Sequence, residues 1–210
     1  MYEPFEVGHE GVLHGTPEQA WDAITQHTSG WLWPVSYQGG VASGLASTPG
    51  KVTAWEPRRR LSVRNEREDG WWNQLDFELA PGAGGVTLLR YRHRSVFARE
   101  EYDEQLDQCR QHTEFYMHSL GQYVRHFGGR DATYTSIDDA PADARAVLAG
   151  IGDLGVVDYE THAFLGIRGE DALIRVYDRR AWGYGVQVAQ HGFGERDGTW
   201  LDELFTEVAR

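Results

Sequence analysis

Apolar and polar residues alternate along residues 100–127 with the period of an α-helix. The inward positions are mostly aromatic or aliphatic and recur every three or four residues: Cys109, His112, Phe115, Tyr116, Ser119, Leu120, Tyr123, Val124 and Phe127. Charged side chains such as Glu104, Asp107 and Arg110 fall on the opposite side, which we expect to face water. The pattern predicts a helix about 40 Å long, so a broad apolar surface must lie beneath it.

The residues before this helix alternate with the period of two that is typical of β-strands. The pattern predicts strands over 5–14, 35–44, 51–56, 61–66, 71–79 and 87–94. A helix over 17–27 interrupts them, because Thr16, Pro17 and Gln19 provide an N-cap hydroxyl, a proline at the first helical position and a capping side chain. Short turns between the strands favour an antiparallel sheet, which we expect to curve around the long helix.

The sequence changes character after Gly128-Gly129. It predicts a polar connector over 131–139, a short helix over 141–148, about three strands over 156–168, 172–178 and 184–193, and a final helix capped by Asp197 or Thr199. We expect residues 1–128 to form one domain and residues 129–210 to form a smaller α/β appendage. A truncated repeat of the first domain is the alternative interpretation, but the second stretch is short for a full copy.

Charge and cysteine content limit the class of protein. The net charge of −12, from 20 basic and 32 acidic residues, argues against a nucleic-acid or anionic-membrane partner. Cys109 is the single cysteine, so a disulfide framework is excluded and a reducing, cytoplasmic location is expected. The first ten residues are mixed and acidic, unlike a secretory signal, and no apolar run approaches a membrane span. The composition therefore indicates a soluble protein.

A series of short motifs resembles a known superfamily in its order and spacing. The motifs are Thr16-Pro17-Glu18-Gln19-Ala20-Trp21, Trp31 to Trp33, Trp55-Glu56-Pro57-Arg58-Arg59-Arg60-Leu61, Leu75-Asp76-Phe77-Glu78-Leu79, residues 85–93 and Phe115-Tyr116-Met117-His118-Ser119-Leu120. Over residues 1–127 they resemble the START-type helix-grip superfamily, also called SRPBCC, and within it homologues of the activator of a heat-shock-protein ATPase. The resemblance implies an α+β helix-grip fold, in which a curved antiparallel sheet wraps around a long C-terminal helix and leaves a cavity between them.

The candidate ligand-cavity residues are aromatic or hydrogen-bonding side chains, most of them on the inward faces of these elements, and we expect Trp33, Tyr37 and Trp71 to close the mouth of the cavity. The candidates are Trp33, Tyr37, Trp71, Asn73, Phe77, Tyr91, His93, His112, Tyr116 and Tyr123. Aromatic area with a few convergent polar groups suits a small apolar ligand. His93, near Tyr91 or His112, is the candidate general acid or base, since a histidine titrates near neutrality. The alternative is that these side chains fill an ordinary core without a cavity.

Other kinds of site lack their sequence signatures. The nine histidines include no His-Glu-x-x-His pattern, and one cysteine cannot form a thiolate cluster, so we expect no metal. The glycines at 82–85 lack the lysine of a phosphate-binding loop, and no Gly-x-Ser-x-Gly elbow is present. We expect no cofactor and a structural role for Cys109.

The sequence leaves three candidate functions. The first is a binding module for a small hydrophobic molecule that catalyses nothing. The second is a co-chaperone-like interaction protein, with a protein partner or a second copy of the chain, which only the family resemblance suggests. The third is an enzyme of the polyketide cyclase or aromatase kind. The lack of a specific catalytic motif favours the binding module.

Overall fold

The computed structural model describes residues 1–45, 48–194 and 199–208, the last range with the side chains of 200, 201 and 203–205. The chain divides into two compact units. The first consists of Met1–Thr28 and Trp33–Gly129, and the second of Ser29–Leu32 and Arg130–Arg210. No helix in the described ranges has both the length and the apolar character that crossing a membrane requires.

In the described residues, the first unit contains one antiparallel sheet of seven strands. The strands are β1 (Tyr2–Leu13), β2 (Ser36–Gln38), β3 (Val41–Ser43), β4 (Gly50–Glu56), β5 (Arg60–Glu66), β6 (Trp72–Pro81) and β7 (Thr87–Ala98). Their spatial order is β1-β7-β6-β5-β4-β3-β2, so consecutive strands from β2 to β7 are neighbours and β1 pairs with β7. This arrangement confirms the antiparallel α+β class that the alternation predicted.

The single strand predicted over residues 35–44 is wrong, because the chain turns back on itself there. Gly39 and Gly40 have φ values of 57° and 80°, in the left-handed region that glycine adopts without a steric penalty. The turn that they form separates β2 from β3, which pair as a short hairpin. Two adjacent glycines were the only local signal for this turn.

Two α-helices complete the first unit within the described ranges, α1 (Pro17–Thr25) and α2 (Tyr102–His126). The predicted capping box of α1 is confirmed: the Thr16 hydroxyl accepts from the Gln19 backbone N–H at 3.3 Å, and Gln19 Oε1 accepts from the Thr16 N–H at 2.8 Å. The predicted long helix is also confirmed as α2, which follows a 3₁₀ turn over Arg99–Glu101 and contacts β1 and β7.

The second unit, within the described ranges, has an antiparallel sheet of five strands and two helices. Its elements are β8 (Thr133–Ala140), α3 (Ala144–Ala149), β9 (Val156–Glu160), β10 (Phe164–Arg168), β11 (Ala172–Asp178), β12 (Val186–Gly192) and α4 (Thr199–Val208), with the strand order β8-β12-β11-β10-β9. An apolar core that includes Leu165, Val176, Val188 and Leu201 holds it together. Asp197, a predicted cap of the final helix, lies outside the described residues.

Two predictions for this unit are wrong. Residues 131–139 are not a connector: β8 pairs with β12, with Ile137 opposite Val188, and cross-strand pairing outweighs the polarity of the segment. The strand predicted over 156–168 is interrupted, because the Thr161 hydroxyl accepts from the backbone N–H groups of Ala163 and Phe164 and closes a turn. These two differences raise the number of strands from about three to five.

The core of the second unit also encloses an ion pair. Arg175 and Asp158 are bidentate partners, with both nitrogen–oxygen distances at 3.1 Å, and their side chains are 0% and 4% exposed. Gly166 lies between them on β10, and a Cβ at this position would stand 2.3 Å from Asp158 Oδ1. A glycine is therefore required for the pair to form.

Candidate functional site

Strands β5, β6 and β7 have one charged face and one uncharged face. The charged face, called here the outer face, presents Arg60, Ser62, Arg64, Glu66, Gln74, Asp76, Glu78, Arg90, Arg92 and Arg94. The inner face presents Leu61, Val63, Asn65, Asn73, Leu75, Phe77, Leu79, Leu89, Tyr91, His93 and Ser95. The register sets this separation, since residues directly opposite each other point to the same side of a sheet.

The carboxylate of Asp76 on the outer face has several hydrogen-bond donors, although Nε of Arg94 on the same face is buried without a partner among the described residues. Asp76 is 4% exposed and accepts from Ser62 Oγ at 2.7 Å, Arg94 Nη2 at 2.7 Å and Gln74 Nε2 at 3.0 Å. Burial by itself would raise the pKa of Asp76, but the bonds from Ser62 and Arg94 outweigh it and hold the pKa below its ordinary value. The carboxylate is therefore ionised and anchored at neutral pH.

The inner face is closed at one end and open at the other. At the closed end Leu61, Leu79 and Leu89 are at most 5% exposed. At the other end Asn65 and Ser95 are buried, but the inward-facing side chains of Asn73, Leu75 and His93 remain partly exposed. Cys109, His112 and Tyr116 of α2 are also partly exposed, and these six residues are called here the open end. These inward-facing side chains are therefore accessible to solvent.

His93 and Asn73 form a fixed polar pair at the open end. His93 Nε2 lies 2.5 Å from Asn73 Oδ1, and with the amide oxygen as acceptor Nε2 carries the proton. Burial lowers the pKa of His93 to about 4, so its imidazole is neutral at physiological pH. Among the described residues, Nδ1 of His93 and Nδ2 of Asn73 have no hydrogen-bond partner.

Tyr91 lies two residues before His93 on the same face of β7, and Cys109 and Tyr37 are near Tyr91. Burial raises the pKa of Tyr91, and the nearby ionisable groups of Cys109 and Tyr37 raise it further. Burial likewise raises the pKa of Tyr37, and that of Cys109 to about 12. In the described part of the chain neither tyrosine hydroxyl has a hydrogen-bond partner, and neither hydroxyl oxygen is fully enclosed. Each hydroxyl oxygen therefore keeps some solvent accessibility.

Aromatic rings surround the open end. The Trp33 ring meets Tyr116 edge-on at 5.6 Å between centroids, and Trp33 Nε1 donates to the Gly44 carbonyl at 2.5 Å. His112 lies 5.6 Å from Tyr116. These contacts fix the position of Trp33 relative to the first half of α2.

Trp55 and Trp21 are aromatic neighbours of the site that the sequence reasoning did not include. Trp55 lies 5.9 Å from Tyr37 and 5.1 Å from Trp21. A register shift in β4 between Val52 and Ala54 places Trp55 opposite Leu61, and so on the inner face. Simple alternation from Val52 assigns Trp55 to the outer face, and no residue signals the shift.

Three further candidates are not part of the open end. Phe77 is enclosed beside Tyr91, with ring centroids 4.8 Å apart. Tyr123 is 0% exposed and its ring lies 6.4 Å from that of His27, so it belongs with the buried half of α2. Trp71 precedes β6 and is covered by the guanidinium of Arg67 at 4.6 Å.

Two surface depressions are lined by residues that do not belong to the open end. A groove of about 810 Å³ on the outer face is bordered by Arg90, which pairs with Glu10 at 3.1 Å and Glu78 at 3.8 Å. A smaller pocket of about 280 Å³ in the second unit includes Asp153 and Trp200. The described residues contain no group of three or more histidine, cysteine or acidic side chains arranged to hold a metal ion.

Comparisons with known proteins find likeness in structure only. No protein-family model and no curated protein sequence matches this chain. Protein MLL2253 from Mesorhizobium loti is 22% identical, with a TM-score of 0.48 over 59% of this chain and 98% of that one. CalU16 from Micromonospora echinospora is 17% identical, with a TM-score of 0.45 over 59% and 86%. EF2215 from Enterococcus faecalis, a conserved protein of unknown function, is 16% identical, with a TM-score of 0.46 over 58% and 71%. At these values the likeness carries no conclusion about ligand or mechanism.

Proposed function

We propose that the first unit binds a small hydrophobic or aromatic molecule between the inner face of β6 and β7 and the first half of α2. The observation that carries this proposal is the set of unpartnered polar groups at an accessible, aromatic interior: Tyr37, Tyr91, Asn73 and His93. Polar groups in a protein interior normally find partners. A bound molecule would supply partners for these groups while its apolar surface contacts the surrounding rings.

The proposal includes the helix-grip interpretation of residues 1–128. In this view the seven-stranded sheet wraps around α2, and the open end is the mouth of the ligand cavity. The family resemblance over residues 1–127 and the strand order β1-β7-β6-β5-β4-β3-β2 support it.

The electrostatics of the open end favour binding over acid–base catalysis. A general acid or base works best when its pKa lies near the working pH. Burial lowers the pKa of His93 to about 4 and raises those of Tyr91 and Tyr37, which leaves all three groups neutral and poorly matched to proton transfer near pH 7. They suit a role as fixed hydrogen-bonding groups.

Titration with the uncharged fluorescent dye N-phenyl-1-naphthylamine tests this function. The dye becomes more fluorescent in an apolar site, so we expect saturable enhancement with the wild-type protein. The variant Leu75→Trp, which fills the open end, is expected to abolish it. The matched control Leu88→Trp adds the same ring to the outer face, where Leu88 is 47% exposed, and is expected to bind as the wild type does.

A second measurement keeps the test decisive if Leu75→Trp does not fold. Cys109 is a free thiol at the open end. Alkylation of Cys109 by iodoacetamide at pH 9, followed by mass spectrometry, is expected to slow when the dye is bound. Dye binding that both tryptophan variants retain, with no protection of Cys109, would overturn the proposed site.

A further inference from the structure

The open end differs from most protein surfaces in holding no charged group. The charged residues of β5, β6 and β7 all point to the outer face, and Glu104, Asp107 and Arg110 of α2 are exposed. Glu114 of α2 is acidic and pairs with His9 of β1 at 3.1 Å, so it offers an anion no countercharge. No lysine or arginine among the described inner-face residues of these strands offers a countercharge to an anion. An ionised ligand would lose its water without a compensating countercharge, so its binding is disfavoured.

The unpartnered groups also have complementary hydrogen-bonding roles. With Nε2 of His93 committed to Asn73 Oδ1, the remaining ring nitrogen Nδ1 can only accept a hydrogen bond. The Asn73 amide Nδ2 can only donate, and the Tyr91 hydroxyl can do both. A hydroxyl group satisfies such a mixture, because it donates one hydrogen bond and accepts others. A carboxylate only accepts and a hydrocarbon does neither.

We infer that the open end selects an uncharged aromatic molecule bearing a hydroxyl group, over the corresponding carboxylate and over the bare hydrocarbon. This inference rests on the proposed binding function and narrows its ligand class. The apolar contacts supply affinity for any flat ring system, whereas the polar groups discriminate among substituents.

Three probes with one ring system separate these contributions: 2-naphthol, 2-naphthoate and naphthalene, each titrated at pH 7 by displacement of N-phenyl-1-naphthylamine. We expect 2-naphthol to bind at least about tenfold more tightly than 2-naphthoate, since unpaired burial of a carboxylate costs more than the 1.4 kcal/mol that a factor of ten represents. Naphthalene is expected to bind more weakly than 2-naphthol.

The variant Tyr91→Phe identifies the group that discriminates. Loss of one hydrogen bond is expected to weaken 2-naphthol binding about three- to tenfold, while naphthalene binding stays unchanged. Tyr184→Phe, at a 50% exposed tyrosine of the second unit, is the matched control and should leave all three affinities as they are.

The outcomes distinguish the inference from the function on which it rests. Equal affinity for 2-naphthol and 2-naphthoate, or an equal effect of Tyr91→Phe on 2-naphthol and naphthalene, would overturn the inferred selectivity and leave binding intact. No displacement by any probe, with no binding of the dye itself, would overturn both.

Discussion

The polar side chains on the two faces of β5, β6 and β7 differ in how far their hydrogen bonds are satisfied. On the outer face Asp76 has three hydrogen-bond partners, and Arg90 pairs with carboxylates of both neighbouring strands. On the inner face Tyr91 is 7% exposed and its hydroxyl has no partner within the described chain. On these strands the carboxylate of Asp76 is therefore fully paired, whereas the hydroxyl of Tyr91 is not.

This difference separates residues that stabilise the fold from residues that are available for binding. A buried polar group normally stabilises a protein only when its hydrogen bonds are made, as those of Asp76 are. Groups left without a partner at an accessible site contribute little to folding and retain their capacity for a ligand. Three comparisons between matched positions test this division.

The largest effect is expected where adjacent leucines of β7 point to opposite faces. Leu89→Ala removes a side chain that is 3% exposed at the closed end and should lower the free energy of unfolding by about 2 to 5 kcal/mol. Leu88→Ala, at 47% exposure, should change it by less than about 0.5 kcal/mol. Urea denaturation measures both values. Equal losses would show that the inner face is not the packed one.

An intermediate effect is expected from the acidic residues of the outer face. Asp76→Ala leaves Ser62, Gln74 and Arg94 without their shared acceptor and should cost about 2 to 3 kcal/mol of unfolding free energy. Glu78→Ala, the control, breaks a 3.8 Å pair at the surface and should cost less than about 1 kcal/mol. If both variants unfold at the same urea concentration, the network around Asp76 does not stabilise the sheet.

The smallest effect concerns the dependence of stability on pH. The pKa of His93 is lowered to about 4 in the folded protein, against about 6.5 when unfolded, so between these values the unfolded state binds more protons. The contribution of neutral His93 to the free energy of unfolding is complete above pH 6.5 and is lost as the pH falls toward 4. Below pH 6 the protonation of His93 should lower the free energy of unfolding by up to about 1.4 kcal/mol per pH unit.

The variant His93→Gln removes this titration. The slope of unfolding free energy against pH, measured from pH 7 to pH 5, should become shallower in the variant by that amount. The control His14→Gln, at an exposed position, should keep the wild-type slope. The wild-type slope should not vanish in His93→Gln, because burial also lowers the pKa of His191, to about 3. An unchanged slope would mean that His93 is hydrated and freely protonated.

Local signals predicted the main elements of the first unit. Thr16, Pro17 and Gln19 specify the start of α1 through contacts within four residues, and the periodicity of residues 109–127 defines α2 without reference to the rest of the chain. Alternation likewise assigned Asn73, Tyr91 and His93 to one face.

The features that sequence reasoning missed depend on contacts between distant residues. Strand β8 is polar and forms because β12 pairs with it, and Trp55 reaches the inner face through a register shift that its neighbours do not signal. The bond between His93 and Asn73 requires two strands to meet in one register, with Leu75 directly opposite His93. The sequence could nominate these side chains but could not show which of their atoms lack partners.

A crystal structure of the protein with bound 2-naphthol shows where the ligand lies. We expect the ring system between β6, β7 and α2, with its oxygen within hydrogen-bonding distance of Tyr91 Oη or His93 Nδ1. An open end filled by Tyr37, Tyr91 and Tyr116 themselves, with the naphthol absent or seated in the outer groove beside Arg90, would contradict it.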